Sequence, residues 1–120
     1  MLMNSDLTLL MEENLIRVWS ERNASNRMKS IKNIYTAEST LYHVGHQTTG
    51  YEAINESVTN ILANMPEEFM FFKLKPVVVN NNVGRLIWGM GPNKESIVAT
   101  GMDIAVFDGG KIKSLYVFLD

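Results

Sequence analysis

Residues 100–120, TGMDIAVFDGGKIKSLYVFLD, decide the fold. They read as a strand, a glycine turn and a second strand, with apolar, β-branched and aromatic residues on both sides of Asp108-Gly109-Gly110. Working back, FMFFKLKPVVV (69–79), VGRLIWGMGP (83–92) and SIVATGMDIAVF (96–107) have the same β-rich character, and NNN (80–82) and PNKE (92–95) separate them. Before Pro66 the period changes. Ser5 or Asp6 can cap a helix in which Leu7, Leu10, Met11, Leu15, Val18 and Trp19 form one stripe, ending at Arg22-Asn23. A second helix carries Met28, Ile31, Ile34 and Tyr35 as its apolar face, and STLYHVGHQTTG (39–50) reads as a short strand and loop. A third helix, GYEAINESVTNILANM (50–65), has Ile54, Val58, Ile61 and Leu62 in a stripe, and Pro66 stops it. Helices followed by a run of strands predict an α+β fold, with three N-terminal helices packed on one face of a mostly antiparallel sheet.

Asp103 stands in the middle of an apolar strand, five residues before the turn. Gly101, Ala105 and Phe107 share its strand face, and Met102, Ile104 and Val106 take the other. Either the acid is solvated on an open face, or it is buried with room beside it between two small residues. A carboxyl group buried in apolar walls without a cationic partner has its pKa raised and can donate a proton to a developing oxyanion.

The bulk composition bounds the rest. The 120 residues fit one domain, 1–120, able to bury a core without staples. A net charge of −2, with Lys and Arg spread out, argues against nucleic acid or an anionic membrane as a partner. With no cysteine, disulfides, thiolate metal sites and a cysteine nucleophile are excluded. The N-terminal MLMNSDLTLLMEENLIRVW has no basic region before its apolar run, so it does not read as a signal peptide, and no stretch approaches the ~20 apolar residues of a membrane span. The expectation is a cytoplasmic protein.

His43 and His46 are the two histidines of the chain. Residues three apart on a strand point to opposite faces, which argues against a metal pair, and no metal site or cofactor is expected. Trp19 is either core packing or a pocket wall, and Trp88 and Met90 read as sheet packing or a dimer surface. The glycines of GRLIWGMG do not lead from a strand into a helix, so they do not cradle a phosphate.

In order and spacing, VWSERN (18–23), Arg27, IKNIY (31–35), GYEAI (50–54), GRLIWGMGP (84–92) and GMDIAVFDGGKI (101–112) resemble the SnoaL-like and ketosteroid-isomerase-like proteins of the nuclear transport factor two-like superfamily. The resemblance implies a cone-shaped barrel, in which a curved sheet wraps the helices and leaves an apolar cavity at its open end, and a homodimer formed through the sheet. Ketosteroid isomerases use a general-base aspartate, and a tyrosine and a protonated aspartate that together hold an oxyanion. On this chain Asp103 falls at the protonated aspartate, His43 at the base and Trp19 at the tyrosine. A histidine base suits proton abstraction near neutrality, whereas an indole N–H donates one hydrogen bond and cannot shuttle a proton. The resemblance also implies that Trp19, Tyr35, Val58 and Phe69 bind substrate from one side of the cavity, and Ala105, Phe107, Leu115 and Val117 from the sheet.

The hairpin register then sets what lies beside Asp103. A two-residue Gly109-Gly110 turn puts it opposite Tyr116, and a three-residue loop with a bulge puts it opposite Leu115 with Val117 beyond. The resemblance favours the second. Two functions follow. One is a cofactor-free enzyme of isomerase, cyclase or dehydratase type that transfers a proton on a hydrophobic small molecule. The other is a non-catalytic binding or dimerisation module on the same fold. They differ in whether His43 and Asp103 meet in one pocket.

Overall fold

The computed structural model describes residues 4–120, with three helices and seven strands. Helix α1 (Asn4–Glu13) runs on into a wide π-helical turn, Asn14–Trp19. Helices α2 (Ala24–Ile34) and α3 (Tyr51–Ala63) enclose the first hairpin, β1 (Tyr35–His43) and β2 (His46–Thr49). Strands β3 (Met70–Lys73), β4 (Val78–Asn80), β5 (Val83–Gly91), β6 (Ala99–Asp108) and β7 (Lys111–Leu119) complete the sheet. Its order is β2-β1-β7-β6-β5-β3, with β4 also on β5, and the two ends do not join. Only β1 and β7 run parallel; the other pairs are antiparallel, as the α+β reading expects.

The helical stripes do what their spacing predicts. Leu7, Met11, Leu15, Val18 and Trp19 from the first helix, Ile31 and Ile34 from α2, and Ile54, Val58 and Leu62 from α3 enter one core with Leu41, Leu86, Ala105, Phe107, Ile112 and Leu115 of the sheet. The Asn23 side chain accepts from Asn26 N–H and caps α2. Arg27 is wholly buried and, among the described residues, makes no salt bridge. It donates to Asn55 Oδ1 (2.6 Å), the Glu21 carbonyl (2.6 Å) and Thr59 Oγ1, and so ties α2 to α3 through neutral acceptors.

Two boundaries differ from the sequence reading. Tyr35 is the extended first residue of β1, not the last apolar residue of α2. The polar run that follows it, Thr36-Ala37-Glu38-Ser39, hides a strand, and its irregular pairing with β7 is closed by the buried Ser39 hydroxyl donating to the Ile112 carbonyl.

The β6–β7 register also differs. Gly109 (φ 58°) and Gly110 (φ 80°) make a two-residue turn of the kind glycine favours, pairing Asp108 with Lys111. Beyond Phe107–Ile112 the register shifts, with Val106 opposite Ser114, leaving Lys113 as an extra residue. Asp103 therefore pairs with Val117, and neither Tyr116 nor Leu115 stands opposite it. The expected apolar neighbourhood is present, produced by a bulge in β7 instead of a longer loop.

Candidate active site

Asp103 faces inward. Along β6 the odd residues Gly101, Asp103, Ala105 and Phe107 are buried, and the acid is 3% exposed between Leu86 on β5 and Val117 on β7. The room expected beside it is taken. A Cβ on Gly101 would lie 2.2 Å from Trp88 Cζ2 and 2.5 Å from the Phe118 carbonyl oxygen, so the bare glycine backbone lets the Trp88 indole lie across β6. Ala105 is sealed in the core. From its place over Gly101, Trp88 donates its Nε1–H to Asp103 Oδ1 at 2.9 Å. Burial drives the Asp103 carboxyl up to about 7, against the Trp88 hydrogen bond, which favours the anion.

A pocket of about 290 Å³ opens in front of the acid. Its wall is mostly apolar: Leu15, Trp19, Ile61, Met65, Phe71, Trp88, Met90, Val117 and Leu119 surround Asp103 and His43, with Ala99, Thr100 and Asp120 completing it. Phe71 meets both tryptophans edge-on, Trp19 at 6.3 Å and Trp88 at 5.1 Å between ring centres. Among the described residues no Lys or Arg lines the pocket to draw Asp103 down.

His43 closes the other side. Its ring lies nearly parallel to Trp19 (6.4 Å, 18°). Burial, then the charge of His46, hold it below its usual 6.5, so at neutral pH it is the neutral imidazole that faces the pocket. The expectation that His43 and His46 point apart fails. Val44-Gly45 is a two-residue turn that makes them cross-strand partners on the same side of the hairpin. Among the described residues, no group of three His, Asp or Glu side chains is placed to hold a metal ion.

Trp19 is both core and wall. The π-helical turn directs Asn14, Leu15, Val18 and Trp19 inward together. The Tyr35 hydroxyl donates to Asn14 Oδ1 at 2.6 Å. Burial raises the Tyr35 phenol well above its usual range; the nearby Trp19 N–H opposes this and the Asp103 charge adds to it. Trp19 Nε1–H influences that phenol without reaching hydrogen-bond geometry. It is the one buried side-chain polar atom without a partner among the described residues.

Of the residues singled out from sequence, Asp103, His43, Trp19 and Val117 share the pocket. Tyr35, Val58, Ala105, Phe107 and Leu115 sit behind it, fully packed in the core. Phe69 lies in the turn before β3, its N–H bonded to the Pro66 carbonyl, and does not reach the wall; Phe71, two residues on, does. Trp88 was the main omission. Its alternation with Leu86 on β5 was a legible sign that it points inward, but nothing in the sequence pairs it with Asp103.

No family model and no curated protein matches the chain. Solved structures do. A SnoaL-like family protein from Agrobacterium tumefaciens, a candidate isomerase, superposes with TM-score 0.85 at 20% identity, covering 98% of this chain and 99% of its own. A candidate SnoaL-like polyketide cyclase from a Jannaschia species matches at 0.79 and 9% identity, over 97% and 86%. An NTF2-like protein of unknown function from Cytophaga hutchinsonii matches at 0.65 and 18%, over 92% and 87%. The chain has the NTF2-like α+β fold that these proteins share.

Proposed function

We propose that the pocket is the active site of a SnoaL-like enzyme that moves a proton on a hydrophobic small molecule without a cofactor. The observation that carries this reading is that His43 and Asp103, distant in sequence, line one apolar pocket, with the acid 3% exposed. Their proton affinities are inverted from the ordinary order of a carboxyl and an imidazole, so near neutrality a neutral base coexists with a neutral acid.

The chemistry follows from this arrangement. His43 takes a proton from a carbon next to a carbonyl; the C–H electron pair moves into the C–C bond and the carbonyl pair onto oxygen. The protonated Asp103 donates to that oxygen as its charge grows. The proton held by His43 returns at another carbon, or the enolate carbon attacks a second carbonyl of the same molecule, whose C=O pair moves onto its oxygen and takes the proton from His43. Tyr35 is not a donor here, because its hydroxyl is spent on Asn14. The candidate isomerase and cyclase that share the fold support this class of reaction.

The test is α-carbon hydrogen–deuterium exchange into a panel of small aromatic and alicyclic ketones in D₂O, followed by NMR. His43→Gln is expected to slow exchange by ~10²–10⁴-fold, the usual contribution of a general base. Equal rates for the two proteins would overturn the role of His43. Binding of the ketones with no exchange by either protein would favour the non-catalytic binding module, which the replacement of a phenol by Trp19 also supports.

We further propose a homodimer formed through the outer sheet face. There Tyr42 stacks on Tyr116 at 4.4 Å with ring planes 5° apart, and Phe118 is 51% exposed beside the half-buried Met102 and Ile104.

A further inference from the structure

We infer that Trp88 is a positioning residue for Asp103: laid across the bare backbone of Gly101, its indole N–H holds one carboxyl oxygen and leaves the other as the oxygen that meets a pocket ligand. This deepens the reading above and rests on the pocket being a ligand site.

The indole is held from three directions. Gly101 on the paired strand supplies the space: Trp88 and Gly101 are register partners, and any side chain there would collide with the ring. Phe71 abuts the ring edge-on at 5.1 Å and 87°. Asp103 Oδ1 takes the N–H at 2.9 Å. An indole N–H only donates, so Oδ1 must act as an acceptor in both protonation states. The carbonyl oxygen of a neutral carboxyl is the better acceptor, which favours Oδ2 as the oxygen that carries the proton. That oxygen has no partner within the described chain and is not a sealed atom of the core.

The consequence is a choice of ligand chemistry. While Asp103 is protonated, the pocket presents a donor, Asp103 Oδ2–H, in an otherwise apolar stretch of wall. It then takes a molecule with an acceptor oxygen, such as a ketone or enone. Once Asp103 ionises, Oδ2 becomes an acceptor and the same ketone loses a donor. The titratable groups around Asp103 are Tyr35 and His43 from β1 and Asp120 beyond β7. Of these, Tyr35 remains neutral throughout the working range.

The two tryptophans give two indole N–H signals in a proton–nitrogen correlation spectrum. Between pH 5 and 9 the Trp88 signal is expected to move with the same inflection as the Asp103 carboxyl carbon, and to stay fixed in Asp103→Asn. Trp88→Phe keeps an aromatic ring and removes the N–H; the Asp103 proton affinity should then rise by about tenfold, as for loss of a hydrogen bond to a charged group. If Trp88→Phe fails to fold, the comparison of wild type with Asp103→Asn still decides. A Trp88 signal that ignores pH, or that shifts equally in Asp103→Asn, overturns the inference. Acetophenone binding, read by tryptophan fluorescence, tests the pocket separately. Coupled Trp88 and Asp103 signals with no acetophenone binding to either protein would leave the positioning intact and overturn the ligand chemistry assigned to it.

Discussion

At the scale of the residue, Asp103 carries the strongest consequences. Its folded carboxyl titrates near 7, above the 3.8 of an unconstrained aspartate. The folded state therefore binds more protons than the unfolded chain between those values, and stability falls as pH rises through that window. The three-unit difference corresponds to roughly 4 kcal/mol, fully present below about pH 4 and lost above about pH 7. Urea unfolding of wild type and Asp103→Asn across pH 4–8 checks this, because the amide should flatten most of the slope. Turnover should follow a narrow bell. It rises as His43 loses its proton below pH 6.5, and it falls as Asp103 ionises through about 7. Asp103→Asn keeps a permanent but weaker donor on the pocket side. It should lower turnover about tenfold, less than the ~10²–10³ of deleting a donor outright, and remove the alkaline fall.

At the scale of the element, the π-helical turn at Asn14–Trp19 supports the site. It turns a polar side chain, Asn14, into the core at 1% exposure, where its oxygen accepts the Tyr35 hydroxyl. Asn14→Ala leaves that buried hydroxyl without an acceptor and should cost about 1–3 kcal/mol in urea unfolding. Adding Tyr35→Phe should recover part of the loss, since an apolar edge needs no partner. This element marks a limit of sequence reading. The stripe from Leu7 to Trp19 announced a helix and its buried face, and both are present. A stripe does not distinguish an α from a π turn, so Asn14 drew no notice. Likewise Tyr35 carried helical spacing, but the chain turns extended there because β1 must reach β7. The alternation on β6 correctly put Asp103 among its buried neighbours. It could not show that Trp88, on another strand, would fill the space beside it.

At the scale of the whole molecule, the sheet has two faces with different tasks. The inner face holds the core and the pocket. The outer face leaves Tyr116 and Phe118 open to solvent next to the stacked Tyr42. If that face pairs two copies, Phe118→Glu should shift sedimentation from dimer to monomer while leaving the helical circular dichroism unchanged. The division into helices and sheet was readable because the period of the apolar residues changes near Pro66. The dimensions of the pocket were not, because they depend on which large side chains from distant strands share one space.

That two-sidedness depends on one residue. Ile112 and Leu115 both reach the interior although an odd number of positions separates them, because Lys113 is out of step with the ladder. The strand thus changes phase once along its length. Were Lys113 paired in step with the ladder, everything after it would be read on the opposite side: Leu115 and Val117 would turn to water, and Tyr116 and Phe118 would turn toward the helices. One surface lysine left out of the pairing keeps the pocket wall and the outer face from changing places.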